Sequence, residues 1–184
     1  MIGCAHTGSG KTACFAVPIL EKLAKDPFGI FGLVLTPTRE LAYQIMLQFK
    51  VFSGSNINLR ISVITGGVDM MKQSHELNEI PHIIVATPGR FVHQLKHDTH
   101  QLNEYLSNLE FLVLDEADRM LTDETIENDL KFILDALKKR QEHQRQTLLF
   151  SATMVANYTK LYKKEDIFGQ FISQENFNIC EIGA

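Results

Sequence analysis

Two short stretches carry residue types whose spacing suits phosphate chemistry. The first is Ala5-His6-Thr7-Gly8-Ser9-Gly10-Lys11-Thr12, set between a short apolar run and an amphipathic stretch. Gly8 and Gly10 permit backbone angles that turn consecutive N–H groups towards one anion. Lys11 supplies a positive charge that reaches the outer phosphates of a nucleoside triphosphate. Thr12, in the first helical turn, offers a hydroxyl to Mg2+, and the helix N-terminus adds favourable partial charge. The general phosphate-loop pattern opens on glycine, and Ala5 stands in that place here.

The second stretch is Asp115-Glu116-Ala117-Asp118, directly after the apolar run Phe111-Leu112-Val113-Leu114. In an open parallel sheet, groups just past the carboxyl ends of strands gather at one edge, where ligands bind. The glycine-rich loop also follows a strand, so Lys11 and Asp115 are expected to converge on one nucleotide. Asp115 is then placed to hold Mg2+ through its water shell, and Glu116 to orient or deprotonate the attacking water. The competing reading is a solvated acidic turn at a helix start. Alone this tetrapeptide is a weak signal; joined to the phosphate loop it is a strong one.

Positioning these groups falls to alternating short β-branched runs and longer amphipathic stretches. Strands are expected near 1–5, 33–36, 61–64, 82–86, 111–114 and 147–150, and helices over 11–25, 38–52, 69–78, 89–96 and 125–140. Several runs are continuously apolar, as expected of strands covered on both faces. Such alternation implies an α/β fold, a mostly parallel sheet with helices on both faces. Residues 170–184 offer no clear element.

The composition is that of an ordinary soluble domain: 184 residues, 45% apolar and 22% charged. That excludes disordered, collagen-like and coiled-coil chains. No apolar run approaches the roughly 20 residues needed to span a bilayer, and no secretory signal opens the chain. Cys4, Cys14 and Cys180 form no Cys-x-x-Cys pair, so neither a disulfide framework nor a zinc site is indicated, and a reducing compartment is expected. The net charge of −4 argues against gripping nucleic acid by bulk electrostatics.

Taken with their order along the chain, these blocks resemble the first RecA-like domain of the DEAD-box RNA helicases. The family's name-giving sequence stands at Asp115–Asp118. Motif I resembles Ala5–Thr12, and motif Ia resembles Pro37-Thr38-Arg39-Glu40-Leu41-Ala42. The double glycine is Gly66-Gly67. Motif Ib resembles Thr87-Pro88-Gly89-Arg90, and motif III resembles Ser151-Ala152-Thr153. The flanking segments look most like the ribosome-biogenesis branch of the family.

The resemblance implies a RecA-like P-loop NTPase domain and the cofactors ATP and Mg2+. It implies Lys11, Asp115 and Glu116 as the catalytic group, with Ala5, His6, Thr7, Gly8, Ser9, Gly10, Lys11 and Thr12 around the nucleotide. Thr12 and Asp115 would serve Mg2+, partly through water. Thr38, Arg39, Gly66, Gly67, Thr87 and Arg90 would hold the sugar-phosphate backbone of single-stranded RNA. Asp118, Ser151 and Thr153 would couple the two sites. Backbone-directed contacts read no base sequence and need only a local basic density, which reconciles RNA binding with an acidic chain. Thr38 and Pro88 each stand where a helix should begin, although a plain capping turn also explains Pro37-Thr38-Arg39.

The resemblance further implies an intracellular, nuclear or nucleolar setting with the cytoplasm as an alternative. It also implies a monomer, and ribosome-assembly proteins as partners. Residues 1–164 are expected to form the ATP-binding domain without its upstream adenine-recognition segment, and 165–184 a poorly matched tail. The second RecA-like domain, with its arginine fingers, has no counterpart here. The chain alone is therefore expected to bind Mg-ATP weakly and hardly turn it over. The competing functional readings are a truncated, non-catalytic module binding RNA or a partner, and a DNA-directed P-loop ATPase. His93, His97 and His100 are read as a polar helix end, Met70-Met71 as packing, Cys14 as a small core residue, and Lys138-Lys139-Arg140 as a helix C-terminus.

Overall fold

Four-residue runs with no polar position, such as Gly32–Leu35, Ile83–Ala86 and Phe111–Leu114, are stable as strands only when both faces are covered. All three are buried at every position. In the computed structural model, the described residues are 2–4, 9–26, 29–55, 57–97, 101–138, 145–151 and 179–181. They form strands β1 (Ile2–Cys4), β2 (Gly32–Leu35), β3 (Ile61–Ile64), β4 (Ile83–Ala86), β5 (Phe111–Leu114), β6 (Gln146–Ser151) and β7 (Ile179–Glu181). The helices are α1 (Lys11–Leu23), α2 (Arg39–Ser53), α3 (Met70–Asn78), α4 (Pro88–His97), α5 (Gln101–Tyr105), α6 (Ala117–Thr122) and α7 (Glu124–Lys138).

The strands lie in the order β3-β4-β2-β5-β6-β1-β7, and every pairing is parallel. Right-handed crossovers then decide which face each helix covers. The steps β1 to β2 and β2 to β3 run one way across the sheet and place α1 and α2 on one face. There Phe15, Ile19, Ile45 and Phe49 pack on Val34, Val85, Val113 and Phe150. The steps β3 to β4, β4 to β5 and β5 to β6 run the other way and place α3 to α7 opposite. There Phe91, Leu95, Ile133 and Leu137 pack on Leu33, Leu35, Ile84 and Leu112. Alternate residues of one strand thus serve two separate cores, as the period of two requires.

Three elements depart from the expectation. α5 and α6 fall where no helix was expected, and β7 lies within 170–184, where no element was expected; it pairs with β1 from Ile2 opposite Ile179 to Cys4 opposite Glu181. Met71 is 80% exposed at the start of α3, which corrects its reading as a packing residue. Cys14 is half-buried and packs against the α1–α2 core. Among the described residues, no helix is long and apolar enough to cross a membrane.

Candidate nucleotide and nucleic-acid sites

Because the sheet is parallel, the carboxyl ends of β1 and β5 open on one edge, separated only by β6. Two strand spacings set them about 10 Å apart, the span of a metal-bound triphosphate. On the β1 side the polypeptide turns into α1 at Gly10, whose φ of 87° is the left-handed conformation that glycine tolerates. Lys11 and Thr12 open that helix and are half-buried. Ala5, His6, Thr7 and Gly8 lie outside the described residues, and so does Thr153.

On the β5 side Asp115 follows Leu114 directly, held by its N–H donating to the Leu35 carbonyl at 2.9 Å. It is 3% exposed, which overturns the reading of this segment as a solvated acidic turn. Burial pushes the Asp115 carboxyl up to about 6. The Glu116 N–H, donating to Asp115 Oδ1 at 3.0 Å, and the Lys11 ammonium pull it down, while Glu116 and Asp118 add to the rise. The Lys11 ammonium is thus near enough to favour the ionised form of Asp115. Glu116 adopts a left-handed conformation, φ 52° and ψ 46°, which costs a non-glycine residue about 1 kcal/mol. Its Oε2 accepts from Arg119 Nη1 at 2.7 Å. Asp118 is half-buried in the first turn of α6, and Ser151 closes β6, fully buried.

These residues fit a divalent cation. A buried carboxyl whose ionised form is disfavoured despite a nearby ammonium gains most from a further positive charge. Hard oxygen donors of the carboxylate and hydroxyl type suit Mg2+.

The second constellation lies at the ends of β2, β3 and β4. Thr38 caps α2, its hydroxyl accepting from the Leu41 N–H at 3.3 Å, which is the capping role weighed for it. Arg39 begins the helix, is exposed, and lays its guanidinium over Gly66 and Gly67. A Cβ at Gly66 would stand 2.9 Å from Arg39 Nη2, and one at Gly67 would come closer still. Gly67 also has a φ of 83°. The paired glycines therefore give backbone curvature and room for an arginine at once. Pro88 opens α4, as expected of a residue with no N–H to lose. Arg90 reaches back: its Nε donates to Gln73 Oε1 at 2.7 Å and its Nη2 to the Val68 carbonyl.

Pro37, Arg39, Gly66, Thr87 and Arg90, together with Gly89 and His93, line one open groove of about 360 Å3. The structure thus gathers most of the residues expected to hold a sugar-phosphate backbone around a single depression. Two buried hydroxyls, Thr36 and Thr65, stand at the ends of β2 and β3 on the same edge with no hydrogen-bond partner among the described residues.

Sequence reasoning missed Gln73 and Gln94. Gln73 is 1% exposed and donates to the carbonyls of Thr65 at 2.9 Å and Val63 at 3.4 Å while accepting from Arg90. Gln94 accepts from Ser74 Oγ at 2.9 Å and donates to the Met70 carbonyl, tying α4 to α3. The available signal was a glutamine inside each apolar stripe, Gln73 ahead of Leu77 and Gln94 beside Leu95.

Comparison with known proteins gives the family and agrees with the fold. Residues 1–161 match the DEAD/DEAH box helicase family. The chain is 52% identical over 161 residues to DEAD-box ATP-dependent RNA helicase 36 of Arabidopsis thaliana, covering 88% of this chain and 31% of that protein. It is 51% identical over 165 residues to the human probable ATP-dependent RNA helicase DDX49, covering 87% and 32%. Among solved structures, the DEAD-box helicase Mss116 bound to ssRNA and UDP-BeF is similar with a TM-score of 0.78 at 29% identity, over 98% of this chain and 35% of that one. The chain thus spans about a third of the length of the curated relatives it matches. With this match over most of its length and its parallel sheet, the chain belongs to the DEAD/DEAH box helicase family.

Proposed function

We propose that this chain is the nucleotide-binding half of an ATP-dependent RNA helicase. Its two edge constellations would hold Mg-ATP and a single-stranded RNA backbone. The observation that carries the reading is Asp115, buried at the mouth of β5 yet within the influence of Lys11. A buried carboxyl within the influence of an ammonium is what a metal-bound polyphosphate needs from its protein.

Lys11 and the amides of 5–11 would bind the phosphates, with Thr12 and Asp115 holding Mg2+. Bound there, the cation neutralises charge on the phosphoryl oxygens. Glu116 accepts a proton from the attacking water once Arg119 yields it. Arg39 and the turn at Gly66-Gly67 would meet phosphates of the strand, and Arg90, through Gln73, holds the shape of that turn. Asp118, Ser151 and Thr153 would link the two sites. The single-stranded RNA bound by the similar helicase Mss116 favours RNA as the occupant of the groove. Action in ribosome biogenesis, with a nuclear or nucleolar setting, belongs to the same reading. So do the placing of adenine-reading residues and a second RecA-like domain in the rest of the parent protein, and low turnover by this chain alone.

The decisive experiment is RNA-stimulated ATPase of the complete gene product, with Lys11→Ala and Glu116→Gln as paired variants. Stimulation by single-stranded RNA that is lost in both variants is expected. Activity surviving both substitutions would defeat the assignment. Binding of RNA without turnover in the intact protein would favour a non-catalytic module instead, and DNA competing equally with RNA would favour a DNA-directed ATPase.

A further inference from the structure

One pair of side chains at the rim of the groove is absorbed by neither constellation. His93 and His97 lie one helical turn apart on α4, both exposed, with their rings stacked at 4.3 Å between centroids and 30° between planes. His93 lines the groove, and His97 extends the same face away from it. Imidazoles four residues apart on a helix are the spacing from which two-histidine metal sites are built. When two imidazole nitrogens bind one cation at roughly 2.0–2.1 Å, their ring centroids stand about 4.5–5 Å apart. The pair therefore needs to open by less than about 1 Å and to turn one nitrogen of each ring towards a common point.

The neighbouring cations are directed elsewhere. Lys96 sits over the Phe132 ring of α7, 4.9 Å from its centroid, and interacts with Asp129 on the same helix. Arg90 is turned inward onto Gln73 and Val68. Arg39 lies across the groove over the paired glycines.

We propose that His93 and His97 form a two-imidazole site for a divalent transition cation of the Cu2+, Ni2+ and Zn2+ class, and that an open coordination position of the cation takes a phosphate oxygen from a strand in the groove. Two nitrogen ligands leave at least two positions of such an ion to exchangeable oxygen ligands. The second half rests on the reading of the groove as a nucleic-acid site; the first half does not. Affinity follows ligand basicity and metal identity, with Cu2+ ahead of Ni2+ and Zn2+.

The test titrates the full chain, without an affinity tag, with Ni2+ by calorimetry. One equivalent should bind, and Cu2+ should bind more tightly. Losing one arm of the chelate in His97→Ala, His97→Gln or His93→Ala should weaken Ni2+ by roughly tenfold to 100-fold. His75→Ala, on α3 beside Glu79, should leave the isotherm unchanged. Equal Ni2+ affinity in the parent chain and both His97 variants would overturn the site. A single-stranded RNA oligomer should then bind several-fold more tightly with Ni2+ than with EDTA, and His97→Ala should abolish that difference. Nickel binding without any gain in RNA affinity would overturn phosphate ligation and leave the site standing. RNA binding absent under both conditions would instead count against the groove reading, and the metal isotherm alone would decide the site.

Discussion

The two edge constellations are prepared for their ligands in opposite ways. Around the groove, three polar side chains are already engaged: Arg90 on Gln73 and Val68, Gln73 on the carbonyls of Val63 and Thr65, Thr38 on the first turn of α2. What remains is a shape, with paired glycines and an arginine lying over them. At the nucleotide corner, Asp115 is buried with its ionised form disfavoured, and Glu116 stands in a left-handed conformation. One region is preorganised by hydrogen bonds; the other is held short of a positive charge. Ligand binding to the first should change stability little beyond mass action, whereas binding of a cation to the second relieves a standing electrostatic cost.

The largest effect expected from this contrast is at Asp115. Asp115→Asn should lower Mg-nucleotide affinity and turnover of the complete protein by about 100-fold or more. The same substitution should raise the melting temperature of the nucleotide-free chain at neutral pH. The sign follows from the raised carboxyl. The folded chain holds that proton up to about pH 6, whereas the unfolded chain gives it up near 3.8. Stability is then fully present below pH 3.8 and is lost as pH rises through about 6, by up to about 2–3 kcal/mol. Denaturant melts of the parent chain and Asp115→Asn from about pH 4.5 to 8 check this; parallel curves would erase the contrast.

Next comes Gln73→Leu, which strands the Arg90 Nε and two carbonyls. A loss of about 1–3 kcal/mol in denaturant melts is expected. Roughly tenfold weaker single-strand binding should accompany it, with nucleotide affinity unchanged. A loss of both ligands in equal measure would show that the two regions are not separable.

Gly67→Ala should follow, costing about 1 kcal/mol because the residue must keep a positive φ and displace the Arg39 guanidinium. Strand affinity measured by fluorescence anisotropy should fall while the circular dichroism spectrum is retained. Smallest is Arg119→Ala. The pair with Glu116 is exposed, so no measurable change in melting temperature is expected. Single-turnover hydrolysis by the complete protein should change by less than about threefold. A large fall in rate would make Arg119 part of the machinery and not a resting partner of Glu116.

What could be read from the amino acids alone divides along the same physical line. Continuous runs such as Ile83–Ala86 and Phe111–Leu114 announce buried parallel strands because no other local structure hides both faces. The capping residues Thr38 and Asp69 and the opening Pro88 mark helix starts through purely local chemistry. The parallel sheet with helices on both faces followed from these. α6 was invisible because it is six residues long and begins beside a left-handed glutamate. β7 owes its strand geometry to pairing with β1, a contact that no local window contains. At the sites, residue types named Asp115, Lys11 and Arg39, but only the folded chain reveals that Gln73 braces Arg90. The two stand 17 positions apart, too far for helical spacing to report. The exposure of Met71 shows the same limit, since an apolar side chain in a helix's first turn carries no record of what stands opposite it.

The placing of β1 has a consequence for how the protein is made. Among the described residues, 2–4 pair with 149–151 and 179–181, the most distant partners in the sheet. Closing so long a span is slow and entropically opposed until both neighbouring strands exist. A ribosome must therefore release the segment through 151 before the strand leading into the phosphate loop has a bed to lie in. A nascent chain can assemble β2, β3, β4 and β5 in advance, and its capacity for nucleotide waits on β6.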